Sequence, residues 1–226
     1  MKYETREFKD IEYIIRYPKN FEEGKSYPVL FFLHGAGNRG KKVNDFLESN
    51  LFFSLTEKHS EFPFVSVAPL CDGDTWFDRL ETLKELILDM LKLEFLDSSR
   101  VYAMGCSMGG YGVWQLAMSM PEVFAAIVPI CGGGMYWNAG RLVDVNVWAF
   151  HGTDDDVVLA RESQEMVKRI NAAGGNAICT LYEGTGHNAW TDTYSNPEVF
   201  KWLLQFKKTT HEAMSDDKYS DSKLYG

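Results

Sequence analysis

The strongest indication of the fold is the segment Val101-Tyr102-Ala103-Met104-Gly105-Cys106-Ser107-Met108-Gly109. Its first four residues are apolar, which is typical of a strand buried on both faces of a sheet. The glycines that flank Cys106-Ser107-Met108 give a crowded backbone the room for a tight turn. The segment Tyr111–Met120 that follows stops at Pro121, a helix breaker. The stretch therefore predicts a strand, a sharp turn and a helix in immediate succession.

The same alternation of apolar runs and helical patterns extends along the chain. Four further short runs, bounded by Gly, Pro or polar residues, predict buried strands, and a sixth run is weaker: Val29–Leu33, Phe64–Ala68, Ala125–Ile130, Val147–Phe150 and, weakly, Ala177–Tyr182. Apolar spacing or capping signals predict helices at Gly40–His59, Leu80–Leu91, Ala160–Ala173 and Glu198–Lys207. Strands that alternate with helices indicate an α/β fold with a mostly parallel central sheet and helices on both faces.

The chain shows no internal repeat and no central linker, which predicts a single domain over residues 1–208. The opening segment, roughly Tyr3–Tyr17, alternates in polarity and predicts antiparallel edge strands. Residues 209–226 are polar and aperiodic, so we expect a mobile tail there. Only about 15 residues separate Ile130 from Asn146, which is too short for a folded cap domain over the sheet.

Composition narrows the classes of protein that this chain can be. Hydrophobic residues make up 45% of its 226 residues, which excludes a disordered chain. The formal net charge of -9, without a basic patch, argues against nucleic acid and anionic membranes as partners. We find no apolar run long enough to cross a bilayer and no signal peptide. The cysteines form no C-x-x-C pair, so we expect reduced thiols in a cytoplasmic protein: Cys71, Cys106, Cys131 and Cys179. The oligomeric state stays open.

Ser107 is the candidate nucleophile, because the strand, turn and helix around it match the G-x-S-x-G pattern. Such a turn lifts the serine hydroxyl out of the sheet, and the helix that follows points amide hydrogens at developing negative charge. Cys106 lies one position earlier, where its side chain points away from the turn, and we predict a small buried thiol.

A serine hydroxyl needs a base, and the base needs an acid that orients it. His187 lies in a glycine-rich loop after the last predicted strand and is the candidate base. His151 ends the run Val147–Phe150, and we predict a structural role with its ring bonded to nearby backbone. The acid belongs in the loop after that run, where Asp154, Asp155 and Asp156 stand in a row, and loop geometry alone leaves all three open.

Two backbone amides complete the predicted chemistry. The loop after Val29–Leu33 offers the amide of Ala36 and the turn at Ser107 offers that of Met108, as an oxyanion hole requires. Four aromatic residues fall in loops at the carboxyl ends of strands, where ligands bind in open α/β sheets, and are candidates for substrate binding: Trp76, Tyr136, Trp137 and Trp190. The sequence contains no metal-ligand set, so we predict neither a metal nor a cofactor.

With these pieces the chain resembles the α/β-hydrolase superfamily. It is similar in particular to small carboxylesterases related to phospholipase/carboxylesterase, polyhydroxybutyrate-depolymerase-like and feruloyl-esterase proteins, a group that includes predicted peptidases. The resemblance runs from about Tyr27 to Phe206 and rests on Phe32–Gly37, Gly105–Gly112, Pro129–Gly134 and Gly186–Trp190. It implies an α/β-hydrolase fold without a large cap domain.

The resemblance also selects the acid. The family pattern H-G-x-x-D-x-x-V falls on His151–Val158 and matches Asp155, although Leu159 stands where Pro often follows. It implies a serine hydrolase that cleaves small carboxylic esters through an acyl-enzyme. A peptidase or thioesterase with the same three residues is the alternative, and a non-catalytic ligand-binding protein on a hydrolase scaffold is a further one.

Overall fold

The fold is built on one eight-stranded sheet, seen in a computed structural model that describes residues 2–208. The strands are β1 (Tyr3–Phe8), β2 (Ile11–Arg16), β3 (Tyr27–Leu33), β4 (Val65–Pro69), β5 (Leu96–Cys106), β6 (Ala126–Ile130), β7 (Asn146–Gly152) and β8 (Ala177–Tyr182). Their order across the sheet is β1-β2-β4-β3-β5-β6-β7-β8. Strand β2 pairs antiparallel with β1 and β4, and all other pairs are parallel. The predicted mobile tail, 209–226, lies outside the described residues.

Seven helices connect or flank these strands within the described residues. They are α1 (Val43–Ser49), α2 (Leu51–Thr56), α3 (Leu80–Met90), α4 (Met108–Ser119), α5 (Arg161–Ala172), α6 (Trp190–Ser195) and α7 (Pro197–Leu203). Two 3₁₀ segments, Ala36–Asn38 and Tyr136–Leu142, follow β3 and β6. The second of these is the only helical segment in the connection between β6 and β7, a described part of the chain that the sequence predicts to be too short for a cap.

The α/β class, the mostly parallel sheet and the antiparallel strands at the start of the chain are confirmed. The single helix predicted over Gly40–His59 is wrong. Asn50 interrupts it with an extended backbone conformation and its side chain accepts a hydrogen bond from the Phe53 amide, which begins α2 anew. Asn50 is a strong helix N-cap residue, so the apolar spacing on both sides of it belongs to two short helices rather than one.

The sheet is covered on both faces, as the continuous apolar runs predict. In β3, Val29, Phe31 and Leu33 face one core layer, while Leu30 and Phe32 face the other. The first layer packs against α3, α4 and α5, and the second against α1, α2, α6 and α7. Burial of both strand faces stabilises this arrangement by about 25 cal/mol for each Å² of apolar surface removed from water.

Because β3 and β5 to β8 are parallel, their carboxyl ends meet at one edge of the sheet. The loops that leave this edge carry the candidate residues of the site. His34 and Ala36 follow β3, Ser107 follows β5, Asp155 follows β7, and His187 follows β8. Residues far apart in sequence are thereby placed side by side.

Candidate active site

Ser107 lies in the sharp turn between β5 and α4 and has a positive φ of 54°. Its amide donates to the Ile130 carbonyl at 2.9 Å, which ties the turn to β6. The flanking glycines are required by close packing. A Cβ on Gly105 would lie 2.5 Å from the Gly109 carbonyl oxygen, and a Cβ on Gly109 would overlap the Leu33 carbonyl. A left-handed conformation is costly for a serine, and it is maintained because the surrounding backbone leaves no alternative.

His187 connects the two other residues of the site. Its Nε2 lies 2.8 Å from the Ser107 Oγ, and its Nδ1 lies 2.7 Å from the Asp155 Oδ2. The neighbouring Asp154 and Asp156 are exposed, whereas Asp155 is buried. The structure therefore brings Ser107, His187 and Asp155 into one hydrogen-bonded chain, with the arrangement that activates a serine hydroxyl in hydrolases.

The Asp155 carboxylate is held at both of its oxygens. Oδ1 accepts hydrogen bonds from the amides of Val157 and Val158 at 3.0 and 2.9 Å, and Oδ2 accepts from His187. Burial by itself would raise the pKa of the Asp155 carboxyl, but the hydrogen bonds from His187 and the two amides outweigh it and lower that pKa. The carboxylate therefore stays charged at neutral pH and can stabilise a positive imidazole on His187.

The amides of Ala36 and Met108 belong to two backbone segments that meet at the Ser107 turn. Met108 opens α4, and the loop before Ala36 touches the serine, since a Cβ on Gly35 would lie 3.6 Å from the Ser107 Cβ. Among residues 2–208 neither amide has a main-chain acceptor. Two free amide donors beside a serine hydroxyl are what an oxyanion hole requires.

His34 fixes the peptide group that carries the Ala36 amide. Its Nδ1 donates to the Gly35 carbonyl oxygen at 2.9 Å, and its Nε2 accepts from the Cys71 amide at 3.0 Å. The Gly35 oxygen and the Ala36 N–H belong to one planar peptide group and point in opposite directions. Holding the oxygen therefore sets the direction of the Ala36 donor, a role of His34 that the sequence reasoning missed.

The buried His34 ring makes the stability of the protein depend on pH. Burial lowers its pKa from 6.5 to about 4, so between these values the unfolded chain binds a proton that the folded chain does not. We expect acidification from pH 6.5 to 4 to lower the free energy of unfolding by about 3 kcal/mol through this residue alone. The measurement is urea unfolding across this range for the native protein and for His34→Gln. A pH slope that is the same in both proteins contradicts the assignment.

The four aromatic candidates have different positions. The prediction for Trp76 is wrong, because its side chain is 1% exposed and its Nε1 donates to the His34 carbonyl oxygen at 2.9 Å beneath the loop. Trp190 packs edge-on against the His187 ring, with ring centroids 5.5 Å apart. Tyr136 and Trp137 form an exposed edge-to-face pair on the 3₁₀ segment after β6. Contact of the last three with substrate stays a prediction.

His151 is buried, and its Nε2 lies 2.8 Å from the Val158 carbonyl oxygen, which confirms the predicted bond to backbone. The same nitrogen also lies 3.2 Å from the Asp155 Oδ2, a contact that the sequence reasoning missed. The signal was present in the spacing, because Asp155 follows His151 by four positions, with His151 at the end of β7 and Asp155 in the loop after it.

The cysteines are free thiols, and Cys106 is buried as predicted, with its pKa raised by that burial. Cys131, Asp155 and His187 together offer three ligand atoms within 4.8 Å of one another, the type of set that binds metal ions. Two of them are already hydrogen-bonded to each other, and burial raises the pKa of the Cys131 thiol, which opposes the thiolate that a metal needs.

No helix within residues 2–208 has the length and apolar character to span a membrane.

The sheet order and the serine at the turn between β5 and α4 define an α/β-hydrolase. A model of the dienelactone hydrolase family matches residues 71–218, more than half of the chain, and the chain belongs to this family.

Relatives of known name support the same class. A probable feruloyl esterase C of Aspergillus terreus is 25% identical over 194 residues, which cover 76% of this chain and 70% of the relative. A bifunctional acetylxylan esterase/xylanase of Neocallimastix patriciarum is 30% identical over 147 residues, 62% of this chain and 21% of the relative. A thermostable esterase of known structure is 32% identical with a TM-score of 0.81, and the match covers 91% of this chain and 63% of that one. The chain is a hydrolase of carboxylic esters.

Proposed function

We propose that Ser107, His187 and Asp155 are the catalytic triad of a serine carboxylesterase that acts on small esters. The observation that carries this proposal is the unbroken hydrogen-bonded chain from the Ser107 Oγ through His187 to the buried Asp155 carboxylate. His187 takes the proton of the Ser107 hydroxyl as the Ser107 Oγ attacks the ester carbonyl carbon. The amides of Ala36 and Met108 bind the negative oxygen of the tetrahedral intermediate.

The second half of the reaction uses the same groups. His187 gives its proton to the leaving alcohol, and the acyl group stays on Ser107. Water then attacks the acyl-enzyme with His187 again as base, which releases the acid and restores the serine. Throughout, Asp155 keeps the imidazole in the tautomer with its proton on Nδ1, because an ionised carboxylate can only accept a hydrogen bond.

We further propose that the acyl group is short or compact, with acetyl and phenylpropenoyl (feruloyl-type) groups as the two candidates. The names of the two curated relatives motivate these candidates. The surface after Asp155 adds apolar contact area, since Val157 and Leu159 are exposed, and Trp190 flanks His187. Exposed apolar side chains in the loops that carry the site favour an uncharged acyl group over a charged one.

The test is a rate profile over aryl esters of rising acyl length, alongside acetylated and feruloylated sugars and a matched thioester and peptide. We expect the highest kcat/KM on an ester with an acetyl, butyryl or phenylpropenoyl group. A higher kcat/KM on the peptide or the thioester than on the matched ester contradicts the esterase assignment.

We also expect no interfacial activation, because the connection from β6 to β7 contains only the 3₁₀ segment Tyr136–Leu142 and no helical lid. The measurement compares acetyl or butyryl esters with long-chain esters, below and above the concentration at which the latter aggregate. We expect the rate to rise smoothly with ester concentration and to be higher for the short-chain esters. A sharp rise at aggregation, or a preference for chains beyond about ten carbons, contradicts this prediction.

We propose a cytoplasmic location, supported by the four free thiols, two of which lie beside the site at Cys106 and Cys131. Thiols persist in reducing compartments and pair in oxidising ones. Cell fractionation tests the location, and recovery of the active enzyme from the medium contradicts it.

A further inference from the structure

The His151 ring lies directly behind the triad carboxylate, at the end of β7. It is fully buried, and each of its two nitrogens has partners. Nε2 lies 2.8 Å from the Val158 carbonyl oxygen and 3.2 Å from the Asp155 Oδ2. Nδ1 lies 2.8 Å from the Ser163 Oγ on α5. The Asp155 Oδ2 therefore has an imidazole on each side, His187 toward the substrate and His151 toward the core.

The partners of the ring determine where its proton lies. Both partners of Nε2 are acceptors, so Nε2 carries a proton and donates. Burial lowers the pKa of His151, so the ring is neutral at pH 7 and Nδ1 is bare. The Ser163 hydroxyl then has two acceptors for its one proton, the Gly132 carbonyl oxygen at 3.0 Å and the bare Nδ1 at 2.8 Å. The two acceptors at Nε2 thus determine the tautomer, and the contacts with Val158 and Ser163 hold the plane of the His151 ring.

We propose that His151 is a positioning residue for the triad: its Nε2–H holds the Asp155 carboxylate in the orientation in which Oδ2 accepts from His187. The inference rests on the proposed roles of Ser107, His187 and Asp155. The chain Ser163–His151–Asp155–His187–Ser107 then has a serine–imidazole pair on either side of one carboxylate, but only Ser107 is at the surface of the site, since Ser163 is fully buried.

The effect of this contact is electrostatic as well as geometric. A carboxylate that accepts an additional N–H is more stable in its charged form and attracts a further proton less strongly. Removal of the His151 donor therefore makes the Asp155–His187 pair bind its proton more tightly. We therefore expect the acidic limb of the pH profile of kcat/KM to move upward.

The other titratable groups near the carboxylate do not produce such a shift. Burial, with the charge of Asp155 as a further cause, raises the pKa of Tyr111 on α4 and of Cys131 after β6, so both stay protonated across the acidic range. Glu162 on α5 raises the pKa of Tyr111 further. Asp154 and Asp156 are exposed and screened by water.

Two amide variants separate positioning from packing. His151→Gln places an amide nitrogen where Nε2 stands and keeps a donor toward Asp155, whereas His151→Asn reaches only the Nδ1 position, near Ser163, and leaves Asp155 without it. The pH profile of kcat/KM and the separate values of kcat and KM are measured on a butyryl aryl ester. Rates are normalised to active sites titrated with a fluorophosphonate, so a smaller folded fraction does not enter the result. His151→Leu is a second variant without the donor, for use if His151→Asn does not fold.

We expect His151→Asn to lower kcat about 10- to 100-fold with KM within about threefold, the size of effect that partners of functional groups show. We expect the midpoint of its acidic limb to rise by about half a pH unit or more. His151→Gln is expected to keep kcat within about fivefold and the midpoint unchanged. Equal effects of the Asn and Gln variants, or a native midpoint in both donor-free variants, overturn the inference.

A Ser107→Ala variant on the same ester separates failure of the proposed triad from failure of the role proposed for His151. If it retains turnover, the proposed triad fails. If it is inactive while His151→Asn has native kcat and midpoint, only the role of His151 fails.

Discussion

Ser107→Ala is expected to lower kcat on a small aryl ester by about 10⁵- to 10⁶-fold, with little change in KM. The Ser107 Oγ is the atom that His187 Nε2 reaches at 2.8 Å, and alanine removes it while it keeps the Cβ and the turn. Residual rate above the uncatalysed reaction comes from the two oxyanion amides and from binding. The measurement is steady-state kinetics on enzyme that is free of native contaminant.

The matched control for Ser107→Ala is Cys106→Ala, one position earlier in the chain. Cys106 is buried, and burial raises the pKa of its thiol, so it is a poor nucleophile. We expect this variant to keep kcat within about tenfold. If Cys106→Ala is the inactive variant and Ser107→Ala the active one, the nucleophile has been assigned to the wrong residue.

Asp155→Asn is expected to lower kcat by up to about 10⁴-fold. The amide of an asparagine can donate to the His187 Nδ1. The proton of the neutral ring then lies on Nε2, which can no longer accept the proton of Ser107. The imidazolium that forms during turnover also loses the charge that stabilises it. The measurement is kcat on the same ester as for Ser107→Ala.

The chain provides two controls for Asp155→Asn at the adjacent positions. Asp154 and Asp156 are exposed, whereas the acceptor of the hydrogen bond from the His187 Nδ1 is the buried Asp155. We expect each Asp→Asn change there to alter kcat by less than about threefold. A large loss in either of them, with Asp155→Asn nearly native, would mean that the loop is in a different register from the one described.

The sequence predicted the fold well because the strands are buried on both faces. In β3, β5 and β7 every position of the run contacts a core layer, so the apolar signal is continuous and its bounded ends are clear. The region from Gly40 to His59 was harder, because its apolar residues fit one long helix as well as two short ones. The side chain of Asn50 decides between them through a single hydrogen bond to the Phe53 amide.

The candidate site was predictable as far as local geometry determines it. The turn at Ser107 follows from two glycines between a strand and a helix. The choice of Asp155 did not follow from the loop, because three consecutive aspartates have equal access until the backbone folds, and only the resemblance to a family pattern selected it. In the structure Asp155 is buried, while Asp154 and Asp156 are exposed.

Three further residues show what sequence patterns leave out. Trp76 lies after a strand of the sheet, a position that fits substrate binding. Its indole N–H instead donates to the His34 carbonyl oxygen beneath the loop, and its ring packs in the core. His34 and His151 act through partners at long sequence separation, Cys71 in one case and Ser163 in the other. Contacts of this kind depend on which loops fold next to each other, which periodicity does not encode.

Covalent trapping of the acyl-enzyme identifies the residue that attacks the ester. The native protein is mixed with an activated butyryl ester, quenched in acid within milliseconds, digested and analysed by mass spectrometry. We predict one butyryl group per chain, on the peptide that contains Ser107 and on its hydroxyl, with no adduct in Ser107→Ala. An adduct on Cys106, Cys131 or any other residue, or rapid turnover with Ser107 unmodified during the reaction, would contradict the assignment of Ser107 as the nucleophile of a serine esterase.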